Sequence, residues 1–254
     1  MLIDTHTHLF LPEFNEDRTA VVDRAVEAGV IKMILPNVDG STVCGMLSLA
    51  DRYPDNCYPC IGLHPTSVRK DFQEELEHVR NLLVSGKFYA IGETGIDLYW
   101  DKSFLAEQTE AFRSQIILAE TFHLPLIIHC RNSFEEIISI IEKMNHGQLT
   151  GVFHSFAGDR GQAARIINNG FKLGIGGIVT YKNSGLDQVL AGIDIKHIVL
   201  ETDAPYLTPV PFRGKRNESR YLTYMAGKLA EIYQIPVGEV ADTTTATARQ
   251  LFNM

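Results

Sequence analysis

Eight short runs of β-branched and aliphatic residues, separated by segments of helical period, constrain this chain more than any other feature. The runs are Leu2–His6, Val30–Leu35, Tyr58–Leu63, Phe88–Gly92, Leu126–Ile128, Gly151–Phe153, Phe171–Ile175 and Ile198–Leu200. Helical stretches run over about Asn15–Ala28, Ser41–Arg52, Phe72–Val84 and Ser103–Phe122, and later over Ser219–Tyr233 and Pro236–Leu251. The punctuation agrees. Gly29 stands just past a helix end, and Ser41 can cap the helix it opens. Ser133-Phe-Glu-Glu136 has capping-box spacing, and Pro236 suits a first helical turn. Strand-then-helix alternation without a linker, repeat or low-complexity tract predicts an α/β fold, a (β/α)8 TIM barrel, as one domain over 1–254. A doubly wound open sheet would want a glycine-rich fingerprint after the first strand. This one ends in histidines.

Composition narrows the function. At 45% hydrophobic and 21% charged, the chain reads as a globular protein. No run approaches the roughly 18 apolar residues of a membrane span, and no basic-then-apolar leader opens it, so the expectation is cytoplasmic. A formal charge of −8 argues against non-specific wrapping by long nucleic acid. It leaves room for a local basic mouth, or for a metal that supplies positive charge. Cys57-Tyr-Pro-Cys60 has redox-motif spacing, but no second pair follows. Reduced thiols are expected for all four cysteines.

The chemistry gathers at the carboxyl ends of the strands, where this architecture builds its sites. Strand one ends in His6 and His8, spaced so that both can face one point. Strand three supplies His64, strand four Glu93, strand five His129, strand six His154, and strand eight Asp203. Five of the nine histidines therefore share one face of the molecule, a clustering that scatter along the chain does not produce. His78, His123, His146 and His197 fall elsewhere and are expected in solvent or at helix ends. Six of the gathered groups, His6, His8, Glu93, His129, His154 and Asp203, are nitrogen or oxygen donors to a metal. One catalytic ion usually takes three protein ligands, so six donors suggest two ions sharing a carboxylate. Glu93 is the natural bridge. With no thiolate in the set, zinc, manganese, nickel and magnesium are all candidates, and the histidines favour a borderline metal over magnesium.

These motifs resemble a known family. Asp-Thr-His6-Thr-His8, Gly-Leu-His64-Pro, Ile-Gly-Glu93-Thr-Gly-Ile-Asp97, Pro-Leu-Ile-Ile-His129-Cys-Arg131, His154-Ser-Phe and Leu-Glu-Thr-Asp203-Ala-Pro are similar to those of the TatD family of metal-dependent deoxyribonucleases, within the amidohydrolase superfamily of distorted barrels. The resemblance covers essentially the whole chain in order. It implies DNA phosphodiester hydrolysis, with one ion held by His6, His8, Glu93 and Asp203 and the other by Glu93, His129 and His154. Thr94, Asn132-Ser133 and Ser219 depart from the family's usual residues, and none of them is a candidate ligand.

On that reading, a water activated by two divalent ions attacks phosphorus and Asp203 accepts its proton. His64, if charged, hydrogen-bonds a phosphate oxygen. Arg131 is a candidate fork for phosphate, with an ion pair to Glu135 or Asp97 as the alternative. Arg213, Lys215 and Arg216 form the one basic cluster near the mouth, read as a phosphate-tracking loop. Tyr99, Trp100, Phe156 and Tyr206 either stack on unpaired bases or pack the loops. The expected substrate is DNA, single-stranded or at ends, cut as a 3′–5′ exonuclease by a monomer. Two readings compete: ester or amide hydrolysis by the same cage, such as aminoacyl-tRNA deacylation, and a non-catalytic metal-stabilised adaptor.

Overall fold

The computed structural model describes residues 1–254. Its eight strands are β1 (Leu2–Asp4), β2 (Val30–Pro36), β3 (Cys57–Cys60), β4 (Ile91–Asp97), β5 (Leu126–Arg131), β6 (Gly151–Phe153), β7 (Phe171–Ile175) and β8 (Ile198–Leu200). The α-helices are α1 (Arg18–Glu27), α2 (Val43–Arg52), α3 (Phe72–Ser85), α4 (Leu105–Phe122), α5 (Phe134–Met144), α6 (Arg160–Asn168), α7 (Leu186–Leu190), α8 (Leu222–Tyr233) and α9 (Val237–Phe252). None is long and apolar enough to cross a membrane.

All strand pairs are parallel, but they form two sheets, β1–β2–β3 and β4 through β8 in order. Isolated bridges close the two seams, Ile61 to Ile91 and Thr7 to Ala204. At the second seam the Asp4 carboxylate accepts from the Thr202 backbone N–H at 2.9 Å and from its hydroxyl at 2.6 Å, tying β1 to the segment after β8. Burial lifts the Asp4 carboxyl to about 7 although Thr202 and Ser219 pull the other way. The result is a distorted (β/α)8 barrel.

Alternation along the strands builds two cores. Ile3, Ile34, Cys60, Ile127, Val152 and Val199 point inward and fill the barrel, plugged by Ala248 and Phe252 of α9. Their neighbours Leu2, Met33, Leu35, Leu126, Ile128, Phe153, Ile198 and Leu200 point outward into a larger layer beneath the helices. Glycines permit the closest approaches. Gly95, at φ +140°, lies so near β5 that an added Cβ would stand 2.0 Å from the His129 carbonyl oxygen.

Several boundaries differ from the sequence expectation. Strand β4 starts three residues later than expected and runs past Glu93, because Thr94–Asp97 pair with Ile128–Arg131 of a β5 that is likewise longer. Strand β1 ends at Asp4, so His6 and His8 lie just beyond it. The capping box at Ser133 does not form: that hydroxyl donates to the Ile96 carbonyl instead. A full capping box occurs at Asp159 and Gln162, opening α6. Ser41 is no cap either, since α2 starts at Val43 after Thr42. Cys57 and Cys60 point to different cores, where burial raises both thiols, Cys57 to about 12, and all four cysteines are free.

Candidate metal centre

Glu93 is the hub. It is buried, and its two carboxylate oxygens face different histidines. Oε2 lies 3.2 Å from His6 Nε2 and 3.5 Å from His8 Nε2. Oε1 lies 2.8 Å from both His129 Nδ1 and His154 Nε2, and 3.3 Å from His64 Nε2. Asp203 completes the first side, its Oδ1 3.7 Å from His6 and 3.6 Å from His8. Asp203 sits in the left-handed region at φ +56°, a conformation aspartate tolerates better than most residues. Barrel closure brings residues 197 apart in sequence to one point.

Partners fix which histidine nitrogens point inward. His8 Nδ1 lies 3.1 Å from the Pro36 carbonyl oxygen, an acceptor only, so Nδ1 carries the proton and Nε2 presents a lone pair. That lone pair meets His6 Nε2 at 3.0 Å, while His6 Nδ1 is buried without a partner. His129 Nε2 is 2.9 Å from Asp97 Oδ2, which leaves Nδ1 bare toward Glu93. This carboxylate–histidine arrangement is the one that orients metal-ligating imidazoles. His154 has a looser counterpart in the buried Glu201, at 3.7 Å. His64 is opposite in character. Its Nδ1 accepts from the Thr66 backbone N–H at 3.1 Å, so in the neutral ring Nε2 carries the proton and points into the cage as a donor.

The electrostatics match a site built for cations. Burial alone would raise Glu93, yet the surrounding His154, His64 and His6 hold its carboxyl well below the usual range. Burial lowers His6, and His154 adds to the effect. Burial opposes a proton on His154 too, but Glu93 and Glu201 lift that group well above the ordinary histidine value. Lone pairs and carboxylates thus converge with no protein cation other than histidine itself among them. A divalent ion satisfies such a donor set, and the residues present fit one. Their donor atoms fall into three overlapping triads, each within 4.8 Å: His6–His8–Asp203, His6–Glu93–His154 and His64–Glu93–His129. The first matches the expected grouping. The second crosses between the two expected ion sites, and the third includes His64, whose Nε2 would ligate only after losing its proton.

Residues 3–253 match the family model described as TatD related DNase. The chain belongs to the TatD family. A TatD-family relative in Bacillus subtilis, the metal-dependent hydrolase YabD, is 36% identical over 255 residues that cover 100% of both chains. The 3′-5′ ssDNA/RNA exonuclease TatD of Erwinia tasmaniensis is 32% identical, again over 100% of both. The crystal structure of YjjV, a TatD homologue from Escherichia coli, superposes with a TM-score of 0.94 at 32% identity, covering 100% of this chain and 98% of that one. The barrel is accordingly of the TatD type, and the chain is a metal-dependent hydrolase.

The rim differs from the sequence reading. Arg216 is committed to α1's approach: its two terminal nitrogens each lie 2.8 Å from an Asp17 carboxylate oxygen, and one also donates to the Glu13 carbonyl. Its charge is paired with the protein's own carboxylate, where the sequence expectation had it free for phosphate. Arg213 lies 4.0 Å over the Tyr181 ring, and Lys215 is exposed. Arg131 makes neither alternative ion pair, since Asp97 is taken by His129 and Glu135 by Arg165. Of the aromatics, Phe156 is buried, while Tyr99, Trp100 and Tyr206 are exposed. Asp97, Glu201 and Asp4 escaped the sequence reading as functional groups. Parity offered a signal for two of them: Asp97 lies four residues beyond Glu93 on one strand, and Glu201 two before Asp203.

Proposed function

We propose that the chain is a 3′–5′ exonuclease that hydrolyses phosphodiester bonds of single-stranded DNA with two divalent ions, acting as a cytoplasmic monomer. One observation carries this reading: Glu93 is a single buried carboxylate whose two oxygens face two separate histidine groups. His6, His8, Glu93 and Asp203 would hold one ion, and Glu93, His129 and His154 the other. Two such ions, when bound, make a water nucleophilic near neutral pH and stabilise the departing 3′ oxygen.

The chain's own groups divide the remaining work. Asp203, whose carboxyl His8 and His6 hold below the usual range against the effect of burial, stays ionised and accepts the water's proton. His64 donates its Nε2 proton to a non-bridging phosphate oxygen, in an orientation fixed by Thr66. Arg131 neutralises phosphate from the rim, with Arg213 and Lys215 as outer contacts. Asp97 holds His129 in place, and the Glu201 carboxylate faces His154 across 3.7 Å.

Digestion of end-labelled single- and double-stranded DNA across magnesium, manganese, zinc and nickel, beside a panel of simple esters, tests the reading. Expected are mononucleotide products from the 3′ end of the single strand, abolished by excess chelator and restored by added ion. Turnover that persists in chelator, or cleavage confined to the esters, overturns it.

A further inference from the structure

The loop that follows β4 presents two aromatic rings to solvent, Tyr99 at 54% exposure and Trp100 at 69%. They meet edge to face, with centroids 4.9 Å apart. Arg131, the last residue of β5, lays its guanidinium 3.9 Å from the centre of the Tyr99 ring and 5.5 Å from that of Trp100. Its charge has no carboxylate partner. After β8, Arg216 and Arg220 pair with acids, and Arg213 lies 4.0 Å over the Tyr181 ring. Arg131 also lines a cavity of about 710 Å³ together with His129, His154 and Asp203, so its guanidinium links the rings to the candidate metal centre.

One buried carboxylate places this stack relative to the cage. Asp97 Oδ2 lies 2.9 Å from His129 Nε2, while Oδ1 accepts from the backbone N–H groups of Tyr99 at 2.8 Å and Trp100 at 3.1 Å. The aromatic loop and a cage histidine therefore share an anchor.

We propose that Trp100, Tyr99 and Arg131 form the subsite for one unpaired nucleotide beside the scissile bond, its base stacked on the Trp100 indole and its phosphate on the Arg131 guanidinium. The proposal deepens the exonuclease reading and rests on it. Every base has a π-face, so stacking on exposed aromatics holds a strand without reading its sequence. A base inside a duplex has both faces covered by its neighbours, so the platform accepts unpaired bases alone. A guanidinium held over a ring face without a carboxylate partner keeps N–H groups available to phosphate oxygens. Strand selectivity thus lies in the rim, and Asp97 is the positioning residue that aligns rim with cage.

Trp100 is the chain's sole tryptophan, so its fluorescence reports stacking directly. The wild-type protein in magnesium is titrated with an eight-nucleotide phosphorothioate oligothymidylate, which resists hydrolysis. An abasic strand of equal length and a blunt duplex are titrated alongside, with binding followed in parallel by anisotropy. Saturable quenching by the oligothymidylate, absent with the abasic strand and the duplex, is expected. Binding without quenching, equal quenching by the abasic strand, or no binding overturns the subsite. In turnover, Trp100→Ala should raise KM for single-stranded DNA roughly tenfold or more with kcat retained, and Trp100→Phe should restore it. The two readings fail separately. Base-dependent quenching without DNA cleavage leaves the subsite and removes the exonuclease, whereas cleavage with KM unchanged in Trp100→Ala does the reverse.

Discussion

The β4 side of the barrel mouth and the β8 side both supply a carboxylate to the cage, and they use their loops in opposite ways. From Glu93 to Trp100, the β4 side carries the hub carboxylate, the carboxylate that orients His129, and two exposed rings under an arginine with no acid partner. The β8 side carries Asp203 and more positive charge, but part of that charge is spent on the protein itself, while Arg213 and Lys215 have no acid partner. Arg216 clasps Asp17, and Glu218 receives both Arg24 and Arg220. Positive charge in a loop is therefore a poor guide to where a polyanion docks. What matters is which cation lacks a partner.

The comparison can be broken at three places. The largest effect belongs to Glu93→Ala, which removes the group common to both histidine sets. Activity should fall by about 10⁴-fold or more, as for other members of a catalytic unit, with metal content lost and the circular dichroism spectrum kept. Full metal content by plasma emission spectrometry would show that the hub is dispensable. Next comes Asp97→Asn. An amide that keeps accepting from the Tyr99 and Trp100 N–H groups turns its NH2 toward the His129 N–H, so the imidazole loses its acceptor. Metal affinity measured by calorimetry should weaken roughly 10- to 100-fold. Unchanged affinity would reduce Asp97 to a loop anchor.

The smallest effect is predicted for Arg216→Ala, which should leave KM for single-stranded DNA where it was. Stability should drop by no more than about 1 kcal/mol, as befits a half-exposed ion pair. Its pH signature has a definite sign. Hydrogen bonding to Arg216, above all, holds the Asp17 carboxyl below its ordinary value. The pair's contribution is therefore fully present above the unfolded value of about 3.9, and it is lost as pH falls through the lower folded one. Arg216→Ala should flatten that acid limb in thermal melts taken between neutral and acid pH. A rise in KM instead would return Arg216 to the substrate track.

The barrel and its metal-binding face were legible because they rest on local periodicities and residue types. Alternation in runs such as Ile127–Ile128 and Val152–Phe153 sorts side chains between two cores whatever the rest of the chain does. His6, His8, His64, His154 and Asp203 stand just past strand ends, where this architecture leaves side chains free, while Glu93 and His129 lie within the longer β4 and β5. Less legible were features set by a neighbour distant in sequence. The extension of β4 past Glu93 depends on its register against β5, and Ser133 abandons its cap because the Ile96 carbonyl happens to lie within reach. Arg216 looked free because Asp17 is 199 residues away.

By itself the amino-acid order determined a strand–helix repeat and a set of donors without thiolate, enough for a metal-dependent hydrolase of this family. Tertiary structure alone decided that Glu93 turns one oxygen to each histidine group, that Asp97 serves both cage and rim, and which arginines are already taken. Periodicity acts over a few residues and is written along the chain. Partnership between charges acts through space, and only closing the barrel brings the partners together.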